Sequence, residues 1–125
     1  MTAGLLLAVA FGGLLGAPSR YLLDRYVSRH YEANLPWGTF IVNVTGSFLL
    51  GLLTGLATAG NLAPIPLAVL GTGFCGAYTT FSTFTFETIR MVEDGRYLEA
   101  LMNLGMSIAL GLAAATTGVA LGLLT

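Results

Sequence analysis

The chain has 125 residues, of which 55% are hydrophobic and only 9% charged, against about 25% charged in an ordinary soluble domain. That balance excludes a soluble enzyme and a disordered chain, and a formal net charge of −1 leaves no electrostatic footprint for nucleic acid. The charges are also segregated. Arg20, Asp24, Arg25, Arg29 and Glu32 form one window, Glu87, Arg90, Glu93, Asp94, Arg96 and Glu99 a second, and 1–19, 33–86 and 100–125 carry none. A bilayer core takes about 20 apolar residues per helix, so each outer segment fits one span and 33–86 fits two. The arithmetic predicts one domain over 1–125, an all-α integral membrane protein with four transmembrane helices. A single cysteine, Cys75, rules out an internal disulfide and a cysteine metal cluster. No basic run precedes the first apolar stretch, so that stretch is expected to be a mature span and not a cleaved signal.

In chain order, the first helix is expected over 3–16, with an amphipathic extension toward Arg29 in which Arg20 and Asp24 can pair at i,i+4. Asn34 and Pro36 mark the next start, since proline is tolerated in a first turn. The second helix then covers 36–58. Gly60, Asn61, Pro64 and Pro66 make a turn. The third helix is expected over 66–91 and the fourth over 97–124. Three Gly-x-x-x-Gly spacings occur, Gly12/Gly16, Gly51/Gly55 and Gly118/Gly122. Chance alone gives roughly two among 17 glycines, so they favour general small-residue packing over a dedicated dimer seam. Four helices of this length are too few to line a path and pack as well, which points to an oligomer.

Chemistry has to come from neutral groups, because the spans lack the buried Asp, Glu or His of a proton-coupled transporter. Two places concentrate such groups. Thr39, Asn43 and Ser47 lie at i, i+4 and i+8 and form one polar stripe. Asn43 brings two N–H donors and an acceptor, suited either to an interhelical bond or to a ligand. The second place is 71–87, where Gly71, Gly73 and Gly76 precede a run rich in threonine. Glycine and β-branched threonine both weaken a helix, so a break in mid-membrane is expected there. A break exposes backbone groups, which is tolerated only where they line a cavity or bind an ion. Phe81 and Phe84 fall on one face after the break. Such rings commonly pack, but their edges carry partial positive charge that attracts a passing anion.

The sequence Gly-Phe-Cys-Gly-Ala-Tyr-Thr-Thr-Phe-Ser-Thr-Phe-Thr-Phe-Glu at 73–87 closely resembles the signature of the Fluc (CrcB) fluoride channels. Three further segments fit in order: Gly-Leu-Leu-Gly-Ala-Pro-Ser-Arg-Tyr at 13–21, Pro-Trp-Gly-Thr-Phe-Ile-Val-Asn at 36–43 and Gly-Ser-Phe-Leu-Leu-Gly at 46–51. The resemblance implies a multi-pass protein of the cell inner (plasma) membrane, assembled as an antiparallel, dual-topology dimer with two fluoride pores. By motif position Phe81 and Phe84 would be ring-edge fluoride ligands and Asn43 a donor in the pore. Ser82, Thr83, Ser107 and Thr39 would add lining hydroxyls, and Arg20 would attract anions at the vestibule. The Gly76 and Thr79 carbonyls would hold a central structural Na+ with the partner's equivalents. Four positions depart from the family pattern. Asn103 and Gly111 stand where a tyrosine and a second serine are common on the fourth helix, and Ala77-Tyr78 replaces Gly-Leu or Gly-Phe.

Both charged windows fall on one side of a four-span chain, so the positive-inside rule predicts one fixed orientation. A dual-topology homodimer should show little such bias, and a pair of homologous subunits of opposite orientation is the alternative. Two other functions fit the size, a multidrug or guanidinium-type exporter and a non-transporting structural membrane subunit. The first needs an embedded acid in its first helix, and 1–19 has none. The second leaves the polar break without a purpose.

Overall fold

A computed structural model describes residues 2–31 and 35–125. Its described residues form helices α1 (Ala3–His30), α2 (Trp37–Thr58), α3 (Pro64–Leu67), α4 (Gly76–Tyr78), α5 (Ser82–Glu93) and α6 (Tyr97–Leu124), with a π-helical stretch, Ala68–Cys75, joining α3 to α4. The expected start signal Asn34 lies outside the described residues. Helices α1, α2 and α6 are each long and apolar enough to cross a membrane. At 1.5 Å per residue, the 28 residues of α1 or α6 exceed the roughly 30 Å of a hydrocarbon core. Their outward faces carry exposed Leu7, Leu14, Leu101 and Leu112, as lipid-facing helices do.

The remaining span, the third, expected over 66–91 with an interruption in its middle, is not one continuous helix. Helical structure runs from Pro64 to Tyr78, stops at 79–81 and resumes at Ser82. Thr79 is extended, with φ −78° and ψ 160°. Before the stop, the Gly76 N–H bonds to the carbonyl of Gly71, the wider i→i+5 step of a π-helix.

Glycine explains how these helices approach one another. A Cβ at Gly12 would run into the Val69 carbonyl oxygen, and one at Gly16 into the Phe74 carbonyl oxygen. From the other side, a Cβ at Gly73 would stand 3.0 Å from the Gly12 Cα. The π stretch therefore lies backbone-on-backbone against α1. The other two pairs join α2 to α6. A Cβ at Gly51 would meet the Ala115 carbonyl oxygen, one at Gly55 that of Val119, one at Gly118 that of Phe48, and one at Gly122 the Leu52 carbonyl oxygen and the Leu56 amide nitrogen. All three Gly-x-x-x-Gly pairs thus serve packing within the subunit. This is the close approach that small residues permit where no hydrophobic force drives helices together.

The two charged windows meet at one end of the bundle through Asp24, Glu87, Arg90, Asp94 and Arg96. Asp24 from the first and Glu87 from the second line one cavity of about 360 Å³.

Gly118→Val should remove the folded, monodisperse protein or lower its melting temperature in detergent sharply, because overpacking typically costs about 1–3 kcal/mol and here the obstacle is backbone. Gly105→Ala, where nothing lies within 4 Å, should leave it unchanged or slightly raised. Thermal unfolding followed by light scattering or size-exclusion chromatography reads both.

Candidate pore lining

The stop at 79–81 is held by one side chain. Asn43, in the middle of α2, donates from Nδ2 to the Thr80 carbonyl at 2.8 Å and accepts from the Thr80 N–H through Oδ1 at 2.8 Å. The carboxamide pairs with Thr80 as a neighbouring backbone strand would, satisfying both polar groups of a residue outside any helix. Thr80 then starts α5: its Oγ1 accepts from the Thr83 N–H at 3.2 Å and lies 3.1 Å from the Thr83 hydroxyl. In an uninterrupted helix the Thr80 and Thr83 amides would bond to the Gly76 and Thr79 carbonyls. Diverting them to Asn43 and to the Thr80 side chain leaves those two carbonyls available.

The segment before the stop is anchored by Tyr78. Its ring stacks on Phe74 with centroids 5.4 Å apart, and its hydroxyl lies 2.9 Å from Thr45 Oγ1. The Tyr78 that departs from the family pattern is therefore buried and bonded. Gly46 on α2 lets this region close in, since a Cβ there would meet the Thr79 methyl.

Around the stop lies a groove of about 300 Å³. α2 contributes Asn43, Gly46, Ser47 and Leu50; the stop and α5 contribute Thr79, Thr80, Phe81 and Phe84; α6 contributes Ser107 and Ile108. None of these side chains is ionisable. Phe84 is buried at 7% exposure, whereas Phe81 is 75% exposed, and their centroids are 6.0 Å apart at 50°. Ser107 Oγ is buried and has no hydrogen-bond partner. On the other side of Thr80 lies a second cavity of about 190 Å³, lined also by Arg20, Tyr21, Asp24, Thr39, Val42 and Thr83. Asp24 sets its carboxylate over Gly38 in the first turn of α2, where the helix dipole favours negative charge.

Residues 7–119 match the family described as CrcB-like protein, Camphor Resistance (CrcB). The chain belongs to the CrcB family. It is 51% identical over 113 residues to Fluoride-specific ion channel FluC 1 of Streptomyces avermitilis, covering 90% of this chain and 91% of that protein. It is 50% identical to a protein of the same name from Nocardia farcinica, covering 90% of this chain and 77% of the relative. With FluC 2 of Mycobacterium bovis the identity is 45% over 118 residues, covering 94% of this chain and 90% of the relative. Membership and three long apolar helices make it a multi-pass membrane protein.

In this CrcB chain the residues singled out from sequence divide among several places. Phe81, Phe84, Asn43, Ser107 and Thr79 meet on the groove. Thr39, Thr83 and Arg20 line the second cavity. Ser82 is exposed and lines neither. Gly76 is exposed, with nothing within 4 Å of its Cβ position. Asn103 points away from the groove and donates to Thr88 Oγ1 at 2.8 Å, tying α6 to α5. Among the polar residues of the groove, Thr80 was not a candidate from sequence, and Ser47 was one only as part of the polar stripe with Thr39 and Asn43. Ser47 was signalled by its place one turn beyond Asn43. The partnership of Thr80 with Asn43 spans 37 positions and leaves no periodic trace.

Asn43→Leu, which keeps the volume and removes both bonds to Thr80, should destabilise the folded protein by about 1–3 kcal/mol for each buried group left unpaired. Chemical unfolding in detergent measures it. A stability equal to wild type would remove the clamp role.

Proposed function

We propose that this chain is a fluoride-selective ion channel that lets fluoride leave the cell passively, down its electrochemical gradient, lowering cytoplasmic fluoride and conferring resistance to it. The observation that carries this reading is the meeting of Phe81, Phe84, Asn43 and Ser107 on one groove without an ionisable side chain. The relatives are named as fluoride-specific ion channels, which are transporters and not enzymes. A groove with no titratable group has no side chain on which to carry a coupled proton, which favours passive flow over an exporter of the guanidinium type.

The chemistry follows from the lining. Asn43 uses one N–H on Thr80 and keeps its second for an anion. Ser107 brings a buried hydroxyl with no partner in the chain. The edges of Phe81 and Phe84 offer weak positive potential, so a small anion is held without being trapped, as conduction requires. Thr83, Thr39 and Arg20 continue the route through the second cavity, where Arg20 attracts the ion.

The subunit works as a dimer, two copies or two homologous subunits in antiparallel orientation, with two pores. Supporting this are Phe81, at 75% exposure, and the exposed, unobstructed Gly76; both need cover that one subunit does not give. Ser82 joins the lining through the same closure. The carbonyls of Gly76 and Thr79 fit a sodium ion, because Asn43 and Thr80 take the amides that would otherwise occupy them. When bound, the ion supplies a positive charge that favours an anion nearby.

Purified protein in liposomes, alone or mixed with a homologous partner subunit, should release fluoride and retain chloride when an ionophore sets the potential. An ion-selective electrode follows the efflux. Phe81→Ile and Phe84→Ile should each lower fluoride flux by about tenfold or more, the equivalent of about 1.4 kcal/mol at the barrier, while the dimer stays intact. Wild-type flux in both variants would remove the aromatic role, and rapid chloride loss would remove the selectivity. Exchanging sodium for a large organic cation throughout purification should reduce flux or thermal stability; equal behaviour in both media would remove the sodium site.

A further inference from the structure

Hydroxyls on membrane helices usually close back onto their own backbone. Here Thr45, Thr54, Thr58, Thr79, Thr85 and Thr88 each donate to the carbonyl four residues earlier. The two serines of the groove do not. Ser107 Oγ is buried without a partner, and Ser47 makes no hydrogen bond among the described residues. A buried hydroxyl left unpaired is costly. Ser107 carries that cost, and the half-buried Ser47 stands on the same groove from another helix, also unbonded; together they call for an acceptor that comes from outside the chain.

Ser47 is placed for that acceptor. It lies one turn beyond Asn43 on α2, on the same face, and lines the groove with Asn43, Phe81, Phe84 and Ser107. On the opposite helix, Gly111 leaves the space in front of it open: the only atom near a Cβ built there is Ser47 Oγ, at 3.9 Å. A donor with a partner in reach would be expected to turn to it; this one faces a position without a side chain.

We infer that Ser47 is a fluoride-contacting residue of the pore, donating its hydroxyl to the permeating ion opposite Ser107. The inference rests on the fluoride reading of the groove. Hydroxyls bonded to an anion form short, charge-assisted bonds. A pair of them replaces part of the ion's water shell while adding no fixed charge to slow its departure. The space over Gly111 lets the ion reach Ser47 without displacing a side chain.

The test is fluoride efflux from liposomes containing wild type, Ser47→Ala, and the double variant Ser47→Ala with Gly111→Ser. The single variant should run as a monodisperse dimer and lose about tenfold of its fluoride flux, equivalent to about 1.4 kcal/mol at the barrier. The double variant should regain most of it, because a hydroxyl carried from position 111 reaches the place that Ser47 Oγ leaves. Wild-type flux in Ser47→Ala overturns the inference. So does a loss that Gly111→Ser fails to repair, since Ser47 would then act through packing alone. In both cases fluoride flux through the wild type leaves the channel reading standing. A wild type that moves no fluoride, even with a partner subunit, overturns that reading and this inference with it.

Discussion

Inside a bilayer no water is present to bond a stray amide or carbonyl, so a chain that interrupts a helix there must supply the missing partners itself. The rest of this structure is arranged around that requirement at 79–81. Asn43 meets it by bonding to both polar groups of Thr80. Asn43 can do so only because α2 stands close to the interruption, and α2 can stand close because Gly46 leaves room for Thr79 and Tyr78. Tyr78 and Thr45 add a second tie between the same elements. The polar groove is a by-product of this solution. Once the helix has stopped, Thr79, Thr80 and the two phenylalanines that follow line one groove.

Much of this was legible in the sequence. Charge-free lengths and the two charged windows located α1, α2 and α6 almost to the residue, because in lipid the length of an apolar run is itself the constraint. The weakness of 71–87 as a helix was visible in its glycines and threonines. What the sequence hid were relations between distant positions. The π-helical step at Gly71–Gly76 lies where the backbone of α1 comes close to the stretch at Gly12 and Gly16, a contact between distant positions. The Asn43–Thr80 pair has no periodicity to reveal it. The Gly-x-x-x-Gly pairs were recognisable as close-packing sites but carried no address, since a glycine does not say whether its neighbour belongs to the same subunit. Ser82 and Thr83 look equivalent in sequence, yet the turn that starts α5 sends one to the surface and the other to a cavity.

The segregation of charge gives the molecule two chemically distinct ends. Asp24, Glu87, Arg90 and Asp94 gather around neighbouring cavities at one of them, while the groove is neutral. In the proposed channel, electrostatic work on an ion is divided: long-range attraction or repulsion acts at the charged end, and short hydrogen bonds act at the groove. In that proposal the groove itself holds no fixed charge where the ion is released, and Arg20 and Asp24 act from the adjoining cavity.

The interrupted segment also bears on how the protein enters the membrane. α1, α2 and α6 are long apolar helices, each able to partition into lipid unaided. The stretch from α3 to α5 holds no comparable helix. It carries an opened backbone closed by Asn43 and by the Thr80 side chain, and it docks against the glycine face of α1. During synthesis this stretch follows both α1 and α2 out of the ribosome, so its two supports are made before it. α6 comes last and locks onto α2 through glycines already waiting. The order of elements along the chain thus doubles as a schedule of assembly: the least lipid-soluble span is delivered only after its hosts.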